Sequence, residues 1–256
     1  MSALAYALTD SVTMVRRVLR HTMRNPAALI ISFLLPLVML LLFNYAFGGA
    51  LNTGGVKYLN FVVPGVLILG VAYAVQATAL SVNADASEGI IDRFRTMAIA
   101  RYAVLIGHVI GSTLRSLIGL VIVVLVALAI GFRPTANPLP WLAALGIVAL
   151  MLFAFGWLGT AFGLAAKTPA GAGSMSVIVT LLPFLSGAFA PTDTMPGWLQ
   201  VFTANQPMSQ VIQTLRGLLL GGPVGRHGWL AVAWCAGIAL AGYVWAQAAF
   251  NRRAAR

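Results

Sequence analysis

Long apolar runs recur along the whole chain and constrain its fold more than any other feature. A helix needs about 20 apolar residues to cross a hydrocarbon core about 30 Å thick. Because the runs are unbroken, they favour helices over barrel strands, whose apolar residues alternate with a period of two. We predict one all-α integral membrane domain over residues 1–256. Its six spans are 26–47, 61–82, 104–130, 141–164, 171–189 and 229–250.

The charge content agrees with a membrane protein. Only 8% of residues are charged and the mean hydropathy is +0.93, whereas soluble domains carry roughly 25% charged residues. The net charge of +11 would suggest nucleic acid in a soluble protein. Here the basic residues lie in short clusters between apolar runs, which favours topology signals and contacts with membrane lipids, and no nucleic-acid partner.

The distribution of basic residues predicts the orientation. With the N-terminus inside, the cytoplasmic segments contain Arg16, Arg17, Arg20, Arg24, Arg93, Arg95, Arg101, Lys167, Arg252, Arg253 and Arg256. The external segments then contain only Lys57, Arg133, Arg216 and Arg226. Positive residues concentrate on the cytoplasmic side. We therefore expect a multi-pass protein of the bacterial inner membrane with both termini, including the tail 251–256, in the cytoplasm.

The segment before the first span has an amphipathic pattern. Apolar residues at 12, 15, 18 and 19 alternate with Arg16, Arg17 and Arg20. This pattern is typical of a helix that lies in the membrane interface. We predict an N-terminal interface helix within residues 1–25.

The segment 83–101 contains most of the acidic residues and is too polar to cross a membrane. Apolar residues at 90, 91, 94 and 97 recur at helical spacing. We predict a short cytoplasmic helix between the second and third spans, whose charged residues are Asp85, Glu88, Asp92, Arg93, Arg95 and Arg101.

The segment 190–228 is broken by Pro191, Pro196, Gly197 and Pro207, which exclude one continuous helix. Two apolar stripes remain, at 198–202 and 211–215. We predict two short helices that enter the outer leaflet and return. Irregular backbone at that depth needs protein cover or a water-filled cavity.

The chain lacks the residues of a self-powered transporter or an enzyme. None of the three histidines is next to a carboxylate in the sequence, and no phosphate-binding loop is present. No Asp or Glu falls within a predicted span, although ion-coupled transporters usually keep such groups there. We expect no metal or cofactor in this chain, and energy for transport from a partner.

Four segments then resemble a known family. They are Arg24 to Pro26 with Phe47 to Gly49, Tyr58 to Gly65, Glu88 to Arg95, and Ala190 to Leu199 followed by Asn205 to Pro207 and Leu215-Arg216. In this order and spacing, the chain resembles the permease subunit of type-2 ABC exporters, closest to the daunorubicin-resistance type. The resemblance covers nearly the whole chain.

The resemblance implies a separate ATPase subunit, which binds ATP and Mg²⁺, and a second permease that is either identical or a close paralogue. It implies that residues 85–101 form the coupling helix that docks on the ATPase, and that Arg16, Arg17 and Arg20 belong to the family's interface helix. It also implies a pathway lined mainly by spans two and five, with help from span one. The polar or aromatic residues on the expected pathway are Asn44, Tyr45, Tyr73, Gln76, Thr78, Thr180, Phe184 and Ser186.

The resulting expectation is a permease that exports a hydrophobic or amphipathic compound such as a drug, polyketide or lipid. Three alternatives remain open: a membrane enzyme of lipid or cell-wall metabolism, a channel or membrane scaffold, and a permease for polysaccharide.

Overall fold

All the regular structure in the described part of the chain is helical. The computed structural model describes residues 26–49, 57–88, 101–135, 137–192 and 195–254. The helices are α1 Pro26–Leu42 with a π-helical turn Phe43–Phe47, α2 Tyr58–Ser87, α3 Arg101–Ala129, α4 Pro138–Ala165, α5 Pro169–Leu181 with a 3-10 turn Leu182–Leu185, α6 Gly197–Asn205, α7 Pro207–Leu220 and α8 Gly225–Ala254. No strand occurs within these ranges, in agreement with the predicted all-α class.

Four helices are long and apolar enough to cross a membrane. They are Tyr58–Ser87, Leu105–Ala129, Pro138–Ala165 and Gly225–Arg252. Two shorter apolar segments, Phe33–Phe47 and Pro169–Leu185, overlap the first and fifth predicted spans. The structure thus confirms a helical membrane protein, and the count of six spans stays a prediction.

Helix α2 forms the centre of the bundle. In its most apolar stretch 78% of α2 is buried, compared with 22% of α8. Two glycines of α4 allow this packing, since a Cβ on Gly159 would lie 2.7 Å from the Val75 carbonyl oxygen. A Cβ on Gly163 would lie 2.5 Å from the Ala79 carbonyl oxygen. Small residues of this kind let membrane helices approach closely.

The fifth predicted span ends earlier than the sequence suggested. Residues 171–189 were expected to form one helix, but the helical path ends at Leu185 and residues 186–190 are irregular. Pro183 explains the change, because proline has no backbone N–H and disrupts a helix interior. The predicted continuous helix is therefore wrong in its last turn.

The segments between the spans agree with the sequence only in part. Residues 83–87 continue α2, and Arg101 begins α3, so these residues do not belong to a separate cytoplasmic helix. The rest of that helix, including Asp92, Arg93 and Arg95, lies outside the described residues. The interface helix with Arg16, Arg17 and Arg20 does so too. The segment 190–228 does contain two short helices, α6 and α7.

Candidate functional site

Arg216 of α7 holds together three segments at one end of the bundle. Its Nη2 donates to the carbonyl oxygens of Gly187 at 2.8 Å and Ala188 at 3.3 Å. Its Nε and Nη2 donate to the carbonyl oxygen of Phe61 at 3.3 and 3.1 Å. The guanidinium carbon lies 3.7 Å from the centre of the Phe61 ring. This fork of donors stacked on an aromatic ring is a geometry that lysine cannot reproduce.

Three further side chains bond to the broken end of the fifth segment. Thr203 Oγ1 and Gln206 Nε2 each donate to the Leu185 carbonyl oxygen at 2.8 Å. The Tyr58 hydroxyl donates to the Phe189 carbonyl oxygen at 2.9 Å. We call Tyr58, Thr203, Gln206 and Arg216 the cap. The cap supplies the hydrogen bonds that the interrupted helix cannot make, and a buried carbonyl group needs such a partner.

Close packing completes this end. A Cβ on Gly65 of α2 would lie 2.6 Å from the Ala188 carbonyl oxygen, so only glycine fits there. Phe189 stacks on Phe43 at 4.3 Å and on Phe184 at 5.2 Å between ring centres. The end of α1, the start of α2 and the end of the fifth segment therefore meet around Phe189.

The opposite end of the bundle, which we call the charged end, has a different chemistry. Asp85 Oδ2 of α2 lies 3.2 Å from His108 Nε2 of α3, and both side chains are mostly buried. Asn83 Nδ2 donates to the carbonyl oxygens of Gly163 at 3.0 Å and Ala166 at 2.8 Å. These contacts tie the last turns of α2 to α3 and α4. Glu88 follows at the C-terminal end of α2 and is exposed.

The structure spreads the predicted pathway residues over buried and exposed positions. Thr78, Thr180 and Ser186 donate to carbonyl oxygens three or four residues earlier in the chain. Tyr45 is 72% exposed and Phe184 is 40% exposed. Asn44, Tyr73 and Gln76 are partly buried. Their role in translocation stays a prediction, as do the ATPase contacts assigned to Asp85, Glu88 and Arg101.

Large apolar side chains are exposed on several described helices, including α3, α4 and α8, and we call those on α1 and α5 the α1 and α5 face. Helices α1 and α5 both pack against α2, and each exposes large apolar side chains. These are Leu34, Leu35, Val38, Leu42, Tyr45, Phe47, Val177, Ile178, Leu181, Phe184 and Leu185. The face suits either lipid or a second helical subunit.

Two features of these sites were not predicted from the sequence. His108 has no acidic neighbour in the sequence, yet it contacts the carboxylate of Asp85 from another helix. Arg216 was assigned only to an external segment, although it is the main donor of the cap. The leucine-arginine pair at 215 and 216 was the only local signal. Within the described residues no group of three histidine, cysteine or acidic side chains could hold a metal ion.

Comparison with known proteins gives a consistent result. The family model for ABC-2 type transporters matches residues 9–220. The chain is 34% identical over 220 residues to the daunorubicin resistance ABC transporter permease protein DrrB1 of Streptomyces coeruleorubidus, covering 86% of this chain and 78% of that protein. It is 22% identical over 236 residues to the probable doxorubicin resistance permease DrrC of Mycobacterium tuberculosis, covering 90% and 84%. A putative transport permease of Porphyra purpurea is 27% identical over 210 residues, covering 79% and 71%.

Proposed function

The chain belongs to the ABC-2 type transporter family, and we propose that it is the permease subunit of an ATP-driven exporter of a hydrophobic or amphipathic compound. The observation that carries this is the similarity to DrrB1, which extends over most of both chains. The name of that relative points to daunorubicin resistance, and a drug is therefore the first substrate class to test. Polyketides and lipids share its amphipathic character.

A separate ATPase subunit supplies the energy in this proposal. The sequence has no phosphate-binding loop, so ATP and Mg²⁺ belong to that partner. The segment between α2 and α3 is the docking element, with Glu88, Asp92, Arg93 and Arg95 as its contacts. The Asp85–His108 pair supports this proposal, because it joins the two helices from which that segment departs.

The proposed topology has six spans with both termini in the cytoplasm. The first span combines α1 with its π-helical turn. The fifth combines the 13 residues of α5 with the four residues of its 3-10 turn, and it rises only about 28 Å at about 1.5 Å per α-helical residue and about 2.0 Å per 3-10 residue. Because that length falls short of the ~30 Å core, the irregular residues 186–190 complete the crossing under the cover of the cap. Helices α6 and α7 then dip into the outer leaflet.

The proposed transporter contains two permease subunits. The α1 and α5 face flanks α2, and in this proposal it meets the same face of a second copy. The substrate passes between the two copies, near Tyr45, Tyr73, Gln76 and Phe184. This arrangement accounts for the exposed rings of Tyr45, Phe47 and Phe184 on a surface whose other large exposed side chains are aliphatic.

Transport into inside-out vesicles tests the proposal. The chain is reconstituted with its ATPase, and uptake of a fluorescent anthracycline is followed with and without ATP. We expect ATP-dependent uptake with the native pair. A pair whose ATPase has lost its phosphate-loop lysine is the control and should show none. Uphill uptake by this chain alone would contradict the proposal.

The docking assignment is tested separately by reversing two charges. The variants Glu88→Arg and Asp92→Arg should reduce co-purification of the ATPase by about tenfold, since like charges across an interface oppose binding. Exposed Lys57→Glu, on the proposed outer side, is the control and should leave complex formation unchanged. Native retention of the ATPase by both charge-reversed variants would reject the docking segment.

A further inference from the structure

A cavity of 350 Å³ lies between the last turns of α4 and α8, at the charged end of the bundle. Its apolar wall includes Leu164, Trp245, Ala248 and Ala249, and its lining also contains Lys167 and Arg252. Both basic side chains are exposed. None of the residues that line this cavity is acidic. The cavity therefore combines two positive charges with an apolar wall.

Trp245 indicates where this cavity lies in the membrane. Trp245 is 40% exposed, and its ring lies nearly perpendicular to that of Phe162, with 5.4 Å between the ring centres. Tryptophan is enriched at the level of the lipid headgroups, and lysine and arginine near helix ends extend toward the same level. All three side chains line the same cavity. The anionic headgroup of a lipid would therefore find Lys167 and Arg252 there, and its apolar chain would find Trp245.

We propose that this cavity binds an anionic phospholipid of the inner leaflet, with the lipid phosphate between Lys167 and Arg252 and an acyl chain beside Trp245. Basic pockets between membrane helices on the cytoplasmic side are suited to such headgroups. The inference rests on the orientation given in the proposed function. It adds a binding site between α4 and α8.

The position of Lys167 gives the site a structural consequence. Lys167 lies in the short connection between α4 and α5, next to Ala166, whose carbonyl oxygen accepts the Asn83 hydrogen bond from α2. A lipid held by Lys167 therefore steadies the connection that joins α4, α5 and the last turns of α2.

Native mass spectrometry of the full chain in detergent tests the site. Phosphatidylglycerol and phosphatidylcholine with identical acyl chains are titrated against the native chain and against K167Q/R252Q. We expect phosphatidylglycerol affinity to fall about fivefold for each basic residue removed and about 30-fold for both. Phosphatidylcholine binding should stay within about twofold. The matched control K57Q/R226Q removes two exposed charges at the other end and should bind phosphatidylglycerol like the native chain.

A second variant separates lost binding from lost folding. K167R/R252K keeps both charges, and it should retain phosphatidylglycerol affinity within about threefold. The proposal is overturned if K167Q/R252Q binds phosphatidylglycerol like the native chain, or if the control loses as much affinity. It is also overturned if K167Q/R252Q still binds phosphatidylglycerol but no longer co-purifies with the ATPase. That result would assign Lys167 and Arg252 to the contact with the ATPase. Binding is measured without ATP, so a failure of transport leaves this result intact.

Discussion

The two ends of this bundle hold their backbone in opposite ways. At the capped end, side chains of α2, α6, α7 and the residue between α6 and α7 donate to carbonyl groups at the interrupted end of the fifth segment. At the charged end, long regular helices are tied together by the Asp85–His108 pair and by Asn83. The difference indicates a fixed structure at the cap. At the charged end the exposed Glu88, Lys167 and Arg252 remain available to partners.

Loss of Arg216 should have the largest effect on stability. The variant Arg216→Met leaves the carbonyls of Gly187 and Ala188 without this donor. Each unsatisfied buried group costs about 1–3 kcal/mol, so we expect little folded protein. Arg216→Lys keeps the charge without the fork and should be intermediate. Size-exclusion chromatography after heating measures this, with exposed Arg226→Met as the control. A native melting temperature for Arg216→Met would contradict the role of the cap.

Gly163→Ala should have the next largest effect, and it tests packing toward the charged end. The new Cβ would lie 2.5 Å from the Ala79 carbonyl oxygen, so α2 and α4 must separate. Overpacking of this kind costs about 1–3 kcal/mol. Gly146→Ala in the same helix is the control, because its Cβ would meet no atom of another helix within 4 Å. Equal melting temperatures for the two variants would show that α2 and α4 pack less closely than described.

A single amide of the cap should contribute less. Gln206→Ala removes one of the two donors to the Leu185 carbonyl oxygen, and Thr203 still provides the other. We expect a loss of about 1 kcal/mol, measured as a lower melting temperature. The neighbouring Asn205→Ala is the control, since Asn205 is exposed and bonds only within its own helix. A larger loss for Asn205→Ala would place the important contacts elsewhere.

The Asp85–His108 pair should contribute least to stability. Its main effect should be on the coupling of ATP hydrolysis to transport. Asp85→Asn and His108→Gln keep a polar side chain of similar size at this contact, and one hydrogen bond typically contributes about 1 kcal/mol, so both variants should melt nearly like the native chain. Transport per ATP hydrolysed should fall about threefold in each single variant. It should fall no further in the double variant, because both changes break one contact. Additive losses would mean that the two residues act independently.

The sequence predicted the bundle well where the signal is local. Apolar runs of about 20 residues located the long helices. The end of the fifth segment was missed although Pro183 was visible, because hydropathy alone does not distinguish an apolar helix from apolar irregular chain.

The polar contacts could not be derived from the sequence, because they join distant positions. Asp85 and His108 are brought together only by the pairing of α2 with α3. Arg216 reaches residues 155 positions away at Phe61 and 29 positions away at Gly187. No periodicity along the chain encodes such contacts, which depend on how helices are arranged in space.

The central claim is that the cap lies within the outer leaflet and completes the fifth span. Measuring the depth of α6 in the membrane tests this claim most directly. A nitroxide label at Val201→Cys, in a Cys235→Ala background, reports this in reconstituted vesicles. Val201 is 66% exposed beside exposed Trp198 and Phe202, so we expect greater access to oxygen than to a water-soluble nickel complex. A label at exposed Thr135 should give the reverse. Nickel access at residue 201 equal to that at residue 135 would contradict the account.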